Sequence, residues 1–175
     1  AMERGTEEYA GAARLGRDLS RAGFTVATGG GPGAMEAANR GARDVGALSI
    51  GLSIDLPFEH DHEHRWVDRA LDFHYFFTRK VMFVRYANAF VVLPGGYGTF
   101  DELFEALCLI QTEKIHSFPI ILVGTAYWSG LVGWLRETAA GEAMISAADL
   151  DLLHVTDDLD FVVETVERAA AGQGV

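Results

Sequence analysis

Apolar residues recur along this chain with two different periods, and the alternation between them predicts the architecture. Between residues 7 and 22, Tyr9, Ala12, Leu15 and Leu19 lie roughly on one stripe of a 3.6-residue repeat, and Gly23 stands where such a helix should end. A short apolar strand at 24–27 then runs into Thr28-Gly29-Gly30-Gly31-Pro32-Gly33, which reads as a turn followed by a helix. Further strands are expected at 47–54, 71–75, 89–93, 119–123 and 152–155, with helices at 77–87, 99–112, 127–140 and from 157 onwards. The run Ala89-Phe90-Val91-Val92-Leu93 is continuously apolar, as in parallel strands buried on both faces. Strands alternate with helices throughout. That order predicts an α/β fold: a doubly wound parallel sheet with helices on both faces, in one domain spanning residues 1–175. Ligands of such a sheet bind at the carboxyl ends of the strands.

Composition narrows the partners more than the fold. The chain has 175 residues, 49% of them hydrophobic, which is enough for a proper core. Its formal charge of -11, from 14 Lys plus Arg against 25 Asp plus Glu, disfavours nucleic acid and anionic membrane surfaces as partners. A small anion remains compatible, because a few backbone N–H groups suffice to hold a phosphate. Cys108 is the single cysteine, so no internal disulfide forms, and its spacing from Phe104 and Leu107 suggests a buried thiol. No apolar run is long enough to span a bilayer and no leader-like segment opens the sequence, which makes the cytoplasm the expected location.

Two glycine turns carry the candidate chemistry. The first, residues 28–33, lets the backbone come close to a ligand where a strand turns sharply into a helix. It also fits a loose dinucleotide pattern, with Asp55 at the end of the next strand, although a tight connection explains the same residues. The second, Pro94-Gly95-Gly96-Tyr97-Gly98, follows the apolar strand directly and leads into Thr99 and a helix, a sequence that makes a nest of N–H groups at a positive helix end. A phosphate fits there. No Lys-Ser or Lys-Thr follows the glycines, so this is not a P-loop.

Thr99-Phe100-Asp101-Glu102 has the spacing of a capping box, with Thr99 as N-cap and Glu102 at N3. Spacing alone therefore leaves Glu102 as either a cap or a reacting carboxylate. Cations for a phosphate would come from Thr78-Arg79-Lys80, since Lys80 and Lys114 are the only lysines in the chain. His60-Asp61-His62-Glu63-His64 invites a metal reading, but alternate side chains of an extended loop point to opposite sides, and a solvated loop near the substrate mouth is expected instead.

Taken in order, GGGPGAMEAANRGA, the FFTRK segment and PGGYGTFDE closely resemble the LONELY GUY family of nucleotide phosphoribohydrolases, long labelled lysine decarboxylases. The similarity runs from residue 5 to about residue 166, and PGGYGTFDE matches the family's PGGxGTxxE in full. The resemblance implies a dimeric Rossmann-like protein that hydrolyses nucleoside 5'-monophosphates, AMP or a cytokinin riboside 5'-monophosphate, to a free base and ribose 5-phosphate, with no cofactor. It places the catalytic pair at Arg79 and Glu102 and the phosphate loop at Gly95, Gly96, Gly98 and Thr99. It also puts nucleotide contacts at Gly30, Gly31, Gly33, Met35 and Glu36, with Lys80 beside the catalytic arginine. Plant-type members read His-Glu-Arg-Lys where this chain has Phe77-Thr78-Arg79-Lys80. Family members also open on an apolar strand that AMERGTEEYA does not supply, so the sheet is expected to lack its first strand.

Cleavage of this kind passes through an oxocarbenium-like ribose. Glu102 would stabilise that cation and orient or deprotonate water, and Arg79 would hold phosphate or sugar oxygens. The lysine decarboxylase label does not fit, because a pyridoxal enzyme needs a Schiff-base lysine in a cofactor pocket and only Lys80 and Lys114 are candidates. The alternative of another class is a carrier that binds a nucleotide or cofactor without cleaving it.

Overall fold

The computed structural model describes residues 3–55, 65–115 and 118–173. The histidine-rich stretch 60–64 lies outside them. Contacts along the chain divide it into two compact units, Ala1–Tyr86 and Ala87–Val175.

The first unit runs α1 (Glu7–Arg21), β1 (Val26–Thr28), α2 (Ala34–Asp44), β2 (Ser49–Ile54), β3 (Arg69–Phe73) and α3 (Phe76–Tyr86). Its strands form a parallel sheet in the order β1-β2-β3, with Val26 opposite Ser49 and Ile50 opposite Arg69. Thr6 caps α1 by accepting from the Tyr9 amide, and Glu7 and Glu8 at one end with Arg21 at the other complement the helix dipole. Small residues set the packing of α1 on α2. A side chain at Gly16 would overlap the Ala38 carbonyl, and one at Gly41 would overlap the Ala13 carbonyl, so the two backbones touch where each helix has no Cβ.

The second unit runs β4 (Phe90–Val92), α4 (Tyr97–Gln111), β5 (Ile120–Val123), α5 (Thr125–Trp134), β6 (Leu153–Thr156) and α6 (Leu159–Gln173), with β4-β5-β6 again parallel. Every residue of β5 is buried, and its core gathers Val92, Leu103, Ala106, Phe118, Ile120, Leu122 and Trp128. A π-helical turn, Leu135–Ala139, extends α5. A 3-10 turn, Ala147–Leu152, follows a reciprocal cap between Ser146 and Asp149.

The parallel α/β class expected from the alternation is therefore found, as two three-stranded sheets flanked by helices. Several boundaries moved for identifiable reasons. Phe24 donates its amide to the Leu19 carbonyl and closes the end of α1, so the β1 ladder starts only at Val26. The expected start of α5 near 127 moves back to Thr125 because Asp157 accepts from both the amide and the hydroxyl of Thr125. Cys108, expected inside, is exposed. It shares a face of α4 with Phe104, as its spacing suggested, but the buried stripe of that helix is Leu103 and Ala106. Among the described residues no helix is long and apolar enough to cross a membrane.

Candidate active site

Each unit presents one of the two glycine turns at the carboxyl end of a strand, and the turns are held by different means. In the second unit, Pro94, Gly95 and Gly96 connect β4 to α4, and Gly96 is the N-cap, in extended conformation. The helix thus begins two residues before Thr99. The capping box expected at Thr99 and Glu102 does not form, because Gly96 already occupies the cap and its carbonyl accepts from the Thr99 and Phe100 amides. Thr99 instead lies against Gly95, where any side chain would collide with its hydroxyl. Glu102 falls in the second turn of α4, and both its carboxylate oxygens are shielded from solvent. It is a shielded carboxylate on the second turn of a helix whose leading amides face away from the helix body.

This turn is buttressed by α5. The Tyr127 hydroxyl donates to the Gly95 carbonyl at 2.5 Å, and a Cβ at Gly124, whose φ is +106°, would lie 3.2 Å from the Pro94 ring. Trp128 is fully buried, donates its indole N–H to the Val123 carbonyl at 3.1 Å and meets the Phe100 ring edge-on, with centroids 5.7 Å apart. Tyr97, by contrast, is 94% exposed.

In the first unit the turn from β1 to α2 contains Gly30 at φ +72° and Gly33, the N-cap of α2, at φ +78°, both in the left-handed region that glycine tolerates. Met35 covers the turn: Cβ atoms placed at Gly29 and Gly31 would lie 2.9 Å from its sulfur and 2.6 Å from its terminal methyl. Arg79, from α3, reaches the same turn, with Nη1 3.8 Å from that Gly29 position. Its guanidinium lies over the rings of Phe76 at 5.3 Å and Phe83 at 5.9 Å. Lys80, the next residue, is half-buried.

Glu36 faces α1 rather than the glycines. It accepts from Arg4 Nε and from the Tyr9 hydroxyl, each at 2.8 Å. The Arg4 hydrogen bond holds its carboxyl below the usual carboxylate range despite partial burial.

Residues that sequence reasoning did not single out complete the first turn. Asn39, 1% exposed in α2, sits in a run of hydrogen bonds that is buried between Asn39 and Ser49 and half-buried at either end. The Gly30 amide donates to Thr28 Oγ1 at 2.9 Å, and Thr28 Oγ1 donates to Asn39 Oδ1 at 2.5 Å. Asn39 Nδ2 donates to Ser49 Oγ at 2.7 Å and to the Ile50 carbonyl at 3.2 Å, and Ser49 Oγ donates to the Trp66 carbonyl at 2.8 Å. The sequence offered little signal, since Asn39 is one of several polar residues of α2 and only its burial beside Ala37, Gly41 and Ala42 sets it apart.

A parallel α/β fold with glycine turns leading into helices at strand ends is of the class whose strand ends receive phosphate-bearing ligands. Comparison with known proteins agrees. A model of the family described as "Possible lysine decarboxylase" matches residues 35–166. The chain is 31% identical over 158 residues to a Mycobacterium marinum protein named cytokinin riboside 5'-monophosphate phosphoribohydrolase, covering 87% of this chain and 81% of that one. It is 30% identical over 167 residues to an Oryza sativa protein named as a probable enzyme of the same activity, covering 93% and 70%. The solved molybdenum cofactor carrier protein of Chlamydomonas reinhardtii superposes with a TM-score of 0.68 at 23% identity, over 94% of this chain and 88% of that one, a likeness of fold. The chain belongs to the "Possible lysine decarboxylase" family, which includes the LONELY GUY phosphoribohydrolases.

Proposed function

We propose that this protein hydrolyses the N-glycosidic bond of nucleoside 5'-monophosphates, AMP or a cytokinin riboside 5'-monophosphate, releasing free base and ribose 5-phosphate. The observation that carries the reading is the shielded Glu102 carboxylate in the second turn of a helix that opens on Gly95, Gly96, Gly98 and Thr99. A carboxylate so close to an anion site would only repel a bare phosphate, but it suits a ligand whose phosphate is followed by a carbon that becomes cationic. The names of the relatives support the same general reaction.

In this mechanism the bond from the ribose anomeric carbon to the base nitrogen breaks, and its electron pair leaves with the base. Glu102 stabilises the oxocarbenium-like sugar and takes a proton from the water that attacks the anomeric carbon, and the departing base gains a proton. The amides at the start of α4 bind the 5'-phosphate. Arg79 and Lys80 hold phosphate or sugar oxygens, and Gly30, Gly31, Gly33 and Met35 line the nucleotide side, whereas Glu36, turned to Arg4 and Tyr9, supports the start of α2 from behind. Homodimerisation and a cytoplasmic location belong to the same reading. Exposed Phe77, Val81 and Tyr86 on α3 support self-association, which light scattering of the purified protein would measure.

The decisive experiment supplies AMP and a prenylated AMP and follows free base and ribose 5-phosphate by chromatography. Wild-type protein is expected to release both products, and Glu102→Gln to lose roughly 100-fold or more of the rate while remaining folded. AMP binding without any release of adenine would favour the carrier alternative.

A further inference from the structure

We infer that Asn39 is a positioning residue for nucleotide binding, acting through the Thr28 hydroxyl to fix the backbone of Gly30 in the first glycine turn. This rests on the reading of the site as a nucleotide site. The argument starts from which groups can only donate or only accept. Ile50 presents a carbonyl to Asn39 at 3.2 Å, and a carbonyl only accepts, so the atom facing it is the Asn39 amide nitrogen. The amide oxygen must then face Thr28. Because that oxygen cannot donate, the Thr28 hydroxyl spends its proton on it and keeps its lone pairs for the Gly30 N–H. Ser49 is constrained in the same way: it accepts from Asn39, so its own proton goes to the Trp66 carbonyl.

The chain of bonds is thus polarised in one direction, and each hydroxyl has a single satisfying orientation. Asn39 and Ser49 are buried to 1% and 0% exposure, so water cannot substitute for the bond between them, and the half-buried Thr28 hydroxyl carries that fixed geometry out to Gly30. The relay ends on a glycine with φ +72°, a conformation that residues with a Cβ rarely adopt, and Gly51 leaves room for it. A Cβ at Gly51 would lie 3.2 Å from Gly30 Cα. Gly30 therefore contributes backbone shape to the site while its own N–H is spent internally. A slack relay would let the turn that Met35 covers and Arg79 reaches drift by fractions of an ångström, which weakens ligand binding more than turnover.

The test uses the full chain with AMP as the probe and Thr28→Val, Thr28→Ser and Asn39→Asp as variants. Thr28→Val keeps the shape but removes the hydroxyl, and Thr28→Ser keeps the hydroxyl. Asn39→Asp turns a carboxylate oxygen towards the Ile50 carbonyl. Gly30 amide exchange by NMR is expected to quicken about fivefold or more in Thr28→Val and Asn39→Asp, with Kd and KM for AMP rising by about the same factor and kcat changing less than twofold. Thr28→Ser should restore all three. Urea denaturation accompanies each variant, and should Asn39→Asp fail to fold, the Thr28 pair decides alone. Unchanged Gly30 exchange in Thr28→Val, or faster exchange with unchanged Kd and KM, overturns the inference. If wild-type protein binds AMP without cleaving it, the hydrolase reading falls and the Kd values still decide the positioning role. If it does not bind AMP at all, both fall.

Discussion

The two glycine turns do the same local job, turning a parallel strand into a helix, yet one is held by a relay of polar bonds and the other mainly by packed rings, with a single hydroxyl bond beside them. Thr28, Asn39 and Ser49 tether the first through directional hydrogen bonds. Pro94 on Gly124, Tyr127 on Gly95 and Trp128 on Phe100 wedge the second in place. Hydrogen bonds contribute modest net stability but demand one geometry, whereas buried aromatic surface contributes much stability and tolerates small shifts. The first turn should therefore be sensitive in function, and the second in stability.

The largest effect should come from Trp128→Ala. It removes a fully buried indole and leaves a cavity, for a loss of about 3–5 kcal/mol by urea denaturation. A loss below about 1 kcal/mol would mean that the aromatic wedge does not hold the second turn as described. Next, Gly41→Ala forces a methyl onto the Ala13 carbonyl at the contact between α1 and α2, and about 1–3 kcal/mol of destabilisation is expected from overpacking. Tyr127→Phe keeps the ring and deletes the bond to Gly95, so about 0.5–1.5 kcal/mol should be lost, with faster amide exchange in peptides covering residues 94–100 as the local sign.

The smallest effect concerns pH. Glu36 has a folded-state pKa below its ordinary value, chiefly through Arg4, so its contribution is complete above the ordinary carboxylate range and is lost as pH falls through the depressed value. Melting temperature should therefore fall somewhat more steeply for wild type than for Glu36→Gln between about pH 5 and pH 3, and parallel curves would remove the Arg4 pair from the account.

Both turns were legible in the sequence, and so was the order of the elements around them. The physical devices that hold the turns were not. Asn39 reads as an unfavourable residue in a helix until the Thr28 hydroxyl and the Ile50 carbonyl stand beside it. The capping box at Thr99 and Glu102 had correct spacing but the wrong helix start, because an extended glycine three residues before Thr99 took the cap. The spacing of Cys108 placed it correctly on a face with Phe104 and gave no means of knowing that the face is exposed.

By itself, the sequence determined the alternation of strand and helix and the two glycine turns, because periodicity and glycine act within a few residues of one another, whereas Arg79 and Glu102 were named as a pair only by the family resemblance. Only the tertiary structure decided where α5 begins, which face of α4 is buried and that a Thr-Asn-Ser relay fixes Gly30. Asp157 lies 32 residues from the amide it caps, and Asn39 lies 10 and 11 from its partners Ser49 and Thr28. Hydrogen bonds between positions so far apart in sequence exist only once the fold has brought them together.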